Sequence, residues 1–106
     1  MKTTEILLYV TVGTMEQAES IGAFLIEEHL AACINIFSGM RSIYRWKGKL
    51  ESSDEFVLLV KTREELSQKA TDAIVRLHEF ELPCVMALPV VGGNKDFLQW
   101  IHHQTA

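Results

Sequence analysis

Cysteine and proline are scarce in this chain of 106 residues, with two of each. Cys33 and Cys84 are too few for a disulfide framework. Pro83 and Pro89 lie close together near the end. No apolar run approaches the roughly 20 residues that a bilayer-spanning helix needs, so no membrane association is expected. No basic start followed by an apolar h-region is evident, so no signal peptide is read. Both thiols are therefore expected reduced and the protein cytoplasmic. No dense Lys/Arg stripe accompanies the net charge of −4, which argues against a nucleic-acid partner. The acidic residues are scattered and form no interaction tail. No repeat, linker or low-complexity tract divides the chain, so one domain over residues 1–106 is expected. A Ser-His-Asp set and a paired-carboxylate signature are also missing, so no enzyme is read here. Gly92-Gly93-Asn94-Lys95 lacks the Gly-Lys-Ser/Thr of a phosphate loop, and no nucleotide cofactor is evident.

What is present is a core-forming pattern, 48% apolar and 23% charged. Ile6 to Val12 is almost continuously aliphatic, as a central strand covered on both faces would be. Thr14 and Gln17 have capping-box spacing and open a helix ending near His29, with Met15, Ala18, Gly22, Leu25 and Ile26 facing the sheet. Ala31 to Trp46 reads as strand with a bulge at Ser38–Gly39. Trp46 to Lys49 reads as a hairpin tip, and the return strand runs from Glu55 to Lys61 after a frayed Ser52–Ser53. Thr62 and Glu65 repeat the capping-box spacing before a helix whose inward stripe is Leu66, Ala70, Ala73, Ile74 and Leu77. Cys84 to Val91 is an apolar strand with Pro89 in it, placing it at an edge or bend. Asn94 caps a short last helix carrying Phe97, Leu98, Trp100 and Ile101.

The order βαββαβ is the split-βαβ arrangement, an α+β ferredoxin-like sandwich with a long β2–β3 hairpin and a short C-terminal helix. Both long helices cover one face of its sheet. The strands are apolar on the other face too, so the pattern calls for self-association.

Several segments resemble the CutA divalent-cation-tolerance family. Leu30-Ala31-Ala32-Cys33-Ile34-Asn35-Ile36 is similar to its L-A-A-C-V-N-I stretch. Ser42 to Lys49 (SIYRWKGK) resembles its S-x-Y-x-W-x-G-K hairpin. Glu55, Lys61-Thr62, Leu88-Pro89-Val90 and the run from Gly93 to Ile101 follow at matching places. The resemblance implies a cytosolic homotrimer, no settled enzymatic activity, and a link to tolerance of copper or another divalent metal ion. It also implies proposed copper ligands known from some relatives: a histidine, here His78, a glutamate where Cys84 stands, and a first-strand cysteine where Val10 stands.

Two constellations follow. His78 with Cys84 offers imidazole and thiolate, a pair suited to copper or zinc and completed by Glu79, Glu81 or a neighbouring subunit. The plain alternative is a histidine placed by the helix dipole and a cysteine packed as a small apolar residue. Tyr44, Trp46, Glu55 and Lys61 form the second set. They are either hairpin and interface packing or the lining of an inter-subunit cleft that takes a small molecule. Cys33 reads as a packed thiol, and His102 and His103 as part of a solvated tail. Rival readings are a nucleotide-sensing trimer of PII type and a structural anchoring trimer.

Overall fold

The computed structural model describes residues 4–106. The elements run β1 (Glu5–Val12), α1 (Met15–Glu27), β2 (Cys33–Trp46) and β3 (Lys49–Arg63). A single 3-10 turn (Glu64–Leu66) leads to α2 (Ser67–Leu77), β4 (Val85–Pro89) and α3 (Lys95–Gln104). The sheet order is β2-β3-β1-β4 with antiparallel neighbours, so the split-βαβ order is realised.

Strand alternation divides the molecule into two unequal halves. Ile6, Leu8, Val10 and Val12 of β1 and Leu58 and Val60 of β3 point to one face. There they meet Ala18, Ile21 and Leu25 of α1 and Ala70, Ala73 and Ile74 of α2, all buried. Gly22 lets α1 lie close to the sheet: a Cβ there would stand 2.9 Å from Ile34 Cγ2. Met15 and Ile26, expected in this stripe, are exposed; buried Gln17 and Ile21 take their places, so the apolar face is rotated from the one expected.

The opposite face carries Cys33, Asn35 and Phe37 of β2, Leu59 and Lys61 of β3 and Tyr9 of β1. α3, with Ile101 buried, packs on part of it. Phe37, Met86 and Leu88 are left 52%, 60% and 42% exposed.

The hairpin is longer on its return arm than the sequence suggests. β3 begins at Lys49 and pairs without a break through Ser52 and Ser53. Their hydroxyls do not interrupt a strand because the ladder is made by the main chain. Lys47 (φ 49°) and Gly48 (φ 81°) both take the left-handed region at the tip, the pair of conformations a two-residue turn of matching twist requires. A bulge between Phe37 and Met40, with Gly39 at φ 76°, kinks the arm where it leaves the body. Fourteen residues at about 3.3 Å each give a strand of roughly 45 Å, body and arm together, close to the long dimension of 44 Å.

The first capping expectation is half realised. Thr14 Oγ1 accepts from the Gln17 amide at 3.1 Å, but the Gln17 side chain reaches α2 instead of returning to Thr14. The second is not realised. Thr62 lies in β3, fully buried, and its hydroxyl donates to the Leu30 carbonyl at 2.7 Å. Strand pairing continues to Arg63 opposite Glu5, so the helix starts one turn later. β4 is shorter than Cys84–Val91, since pairing with β1 runs only from Val85 to Pro89.

Candidate functional site

Glu55 stands where the polar arm meets the core. It pairs across the ladder with Met40, just past the bulge, and the residue is 7% exposed. Ser42 donates to its Oε1 at 2.7 Å and Ser53 to its Oε2 at 3.1 Å. The two serines are themselves cross-strand partners, so Ser53, which reads as part of a frayed segment in sequence, helps to seat a buried carboxylate.

Alternation carries the face of Ser42 on to Tyr44 and Trp46. Opposite them stand Tyr9 and Thr11 of β1 and the segment joining α2 to β4, with Phe80, Glu81, Leu82 and Cys84. Between these walls lies a groove of about 640 Å³ that also touches Ile43 and Arg45. Three members of the predicted cleft set, Tyr44, Trp46 and Glu55, are thus brought together, with Cys84 beside them. Lys61 is not among them. It lies six residues further along β3, roughly 20 Å away by strand rise, paired with Leu7 and Cys33. Its Nζ sits 5.3 Å from the Phe97 ring of α3.

His78 stands behind the groove wall. Its Nε2 lies 2.7 Å from the Thr11 carbonyl and its Nδ1 accepts from the Phe80 amide at 3.0 Å. An Nδ1 that accepts carries no proton, so Nε2–H is the donor to Thr11. β4 pairs with β1 only as far as Val10, so Thr11 lies past the end of that ladder and takes its partner from this ring. The ring also packs on Phe80 at 4.6 Å between centroids. Gln17 secures the same segment, accepting from the Glu79 amide at 2.7 Å. Sequence reading missed this clamp; Gln17 reads there only as the second member of a capping box.

These contacts decide the fit of a metal. Both ring nitrogens of His78 have main-chain partners, and Cys84 lines the groove while His78 does not. Val10 is fully buried on the helix side of β1. Among the described residues, no three of His, Cys, Asp and Glu are grouped so as to hold an ion. The His78–Cys84 pair of one chain therefore does not fit a copper or zinc centre, which needs free lone pairs and further ligands.

The last helix is docked, not a loose tail. His102 Nε2 lies 2.6 Å from Glu5 Oε2, and Arg63 reaches the hydroxyl and carbonyl of Thr105 at 3.0 and 2.9 Å. Glu5 is held below its ordinary carboxyl value, first by the Thr4 hydroxyl and then by His102, against partial burial that raises it.

The CutA1 divalent ion tolerance protein model matches residues 6–104. The chain belongs to this family. It is 42% identical over 94 residues to the divalent-cation tolerance protein CutA of Archaeoglobus fulgidus, covering 89% of this chain and 91% of that protein. Against the Thermus thermophilus protein of the same name identity is 40% over 101 residues, covering 95% and 98%. The chloroplastic CutA of Arabidopsis thaliana is 39% identical over 94% of this chain, which spans only 55% of that longer protein. Among solved structures, CutA1 of Oryza sativa superposes with a TM-score of 0.94 at 39% identity, covering 98% of this chain and 95% of that one. The periplasmic CutA of A. fulgidus gives 0.93 at 38%, covering 96% and 99%. The α+β CutA fold is thereby established for this chain, and divalent-cation tolerance is the role its family name carries.

Proposed function

We propose that this chain serves divalent-cation tolerance as a cytoplasmic homotrimer that works through the groove beneath its hairpin. The observation that carries the assembly is the half-covered sheet. Phe37 near one edge and Met86 and Leu88 on the other leave exposed apolar side chains on the face away from the two long helices, with an unpaired β4 edge beside them, a surface a lone chain rarely leaves in water. The observation that carries the groove is its chemistry: a buried carboxylate, aromatic walls and a thiol converge there, while His78 is spent on the main chain.

Copper or another divalent ion remains the ligand class that the resemblance implies, and the side chains of one chain do not favour it. Sedimentation of the chain and of a Met86→Asp, Leu88→Asp double variant tests the assembly; trimer for the first and monomer for the second is expected. Anaerobic copper calorimetry on the parent, His78→Ala and Cys84→Ser tests the site. Stoichiometric binding lost in both variants would restore the His78–Cys84 centre and displace the groove reading. A small-molecule sensing role shares this groove and is favoured by its volume.

A further inference from the structure

We infer that Glu55 of one subunit forms an ion pair with Lys61 of the next, so that the carboxylate at the root of each arm is neutralised by a neighbour. This rests on the homotrimer proposed above.

Glu55 and Lys61 share one side of the sheet. β3 is unbroken between them, and Glu55, Val57, Leu59 and Lys61 alternate onto the face away from the two long helices. The two charges are opposite in sign, yet six residues of strand hold them roughly 20 Å apart, so they cannot meet within one chain.

Each also lacks an ionic partner at home. Ser42 and Ser53 donate to the Glu55 carboxylate but bring no charge, and Met40 stands across the ladder. Lys61 stands between Leu7 and Cys33, with its Nζ 5.3 Å from the Phe97 ring. Among the described residues, no ion pair includes either of them. Glu55 is already buried, Lys61 is half-buried, and the face they share is the one that assembly covers. An ammonium and a carboxylate enclosed there without counter-charges would oppose association, whereas each supplies what the other lacks.

Other charges near this face are engaged or solvated. Glu5 is held by His102, Arg63 by Glu65, and Lys47 by Glu81. Lys49 and Glu51 alternate onto the same side, but they are exposed toward the tip, where water serves them. A closed ring of three joins unlike patches. Each chain would offer the root of its arm to one neighbour and the α3 end of its sheet to the other, and three identical pairs close the ring. The stacked Phe97 and Trp100, 40% and 39% exposed, give the Lys61 patch an apolar surround that association would bury.

Subunit exchange between unlabelled and isotope-labelled trimers, followed by native mass spectrometry, reads the pair through the dissociation rate. Glu55→Lys and Lys61→Glu should each speed exchange at least about thirtyfold, and the double reversal in one chain should return it to within about threefold of the parent. Should a reversal fail to fold, Glu55→Gln and Lys61→Met decide: each alone should speed exchange about tenfold or more, and their combination should exchange more slowly than either, because no lone charge is then enclosed. Glu51→Gln should change the rate less than about threefold. A parent that sediments as a monomer overturns the assembly and the pair together. A trimeric parent whose exchange is unaltered by the single changes, or whose double variants are no slower than their singles, overturns the pair and leaves the assembly standing.

Discussion

Replacing His78 by alanine separates two views of this residue that no inspection of the sequence can. If it is the clamp described above, the cost falls on the metal-free protein. The variant leaves the Thr11 carbonyl and the Phe80 amide without their partner, at about 1–2 kcal/mol each in a site this enclosed. The ring's packing on Phe80 adds roughly another 1 kcal/mol. The sum is about 3–5 kcal/mol, and at about 4 °C per kcal/mol for a chain of this size the midpoint should fall by more than 10 °C. Thermal unfolding followed by circular dichroism with EDTA present, at one protein concentration, measures it. Hydrogen exchange should show the Phe80 amide losing protection in the same variant. A midpoint within 2 °C of the parent would refute the clamp and leave ligation as the reason for a histidine there.

Three further outcomes follow from the packing. Thr62→Val should cost about 1–2 kcal/mol in urea unfolding, because the Leu30 carbonyl loses a buried 2.7 Å donor. Gly22→Ala should destabilise by about 1–3 kcal/mol, since the contact with Ile34 outweighs the roughly 1 kcal/mol that alanine gains within a helix; in an Ile34→Ala background its sign should reverse. Glu5→Gln should flatten the acid limb of the stability curve. The folded-state value of Glu5 lies below its ordinary 4.5, so its stabilisation is present above that pH and is lost as pH falls through the lowered value. Parent and variant should therefore converge in acid, and a difference that grows as the pH drops would contradict the assignment.

The fold was legible because its signals were redundant. β1 is a solid aliphatic run, Asn94 and Thr14 cap where their spacing says, and Lys47–Gly48 turns the hairpin. Errors fell where one short pattern had two physical uses. Threonine three residues before glutamate caps a helix only if the strand has ended, and β3 had not, because Glu5 still paired with Arg63. Ser52 and Ser53 look like loop residues until their partners across the hairpin are known. At the site, Tyr44, Trp46 and Glu55 were found together because strand register on one hairpin is readable. Lys61 lies outside the groove of one chain because it stands six residues from Glu55 on the same unbroken strand. His78 is the hardest case: its two partners are main-chain groups, and main-chain groups leave no trace in the alphabet.

The hairpin tip has a practical consequence. A Cβ built on Gly48 would meet nothing within 4 Å, and the turn stands at the end of the arm that continues past the bulge. Gly48 answers to turn geometry, while Trp46 and Lys47 beside it also meet the groove wall. A fluorophore or peptide epitope grafted beside Gly48 would therefore report from outside the body while leaving the core's folding energetics untouched, much as a flag on a mast leaves the hull alone. The same remoteness means that natural variation in the tip says little about the interior it is attached to.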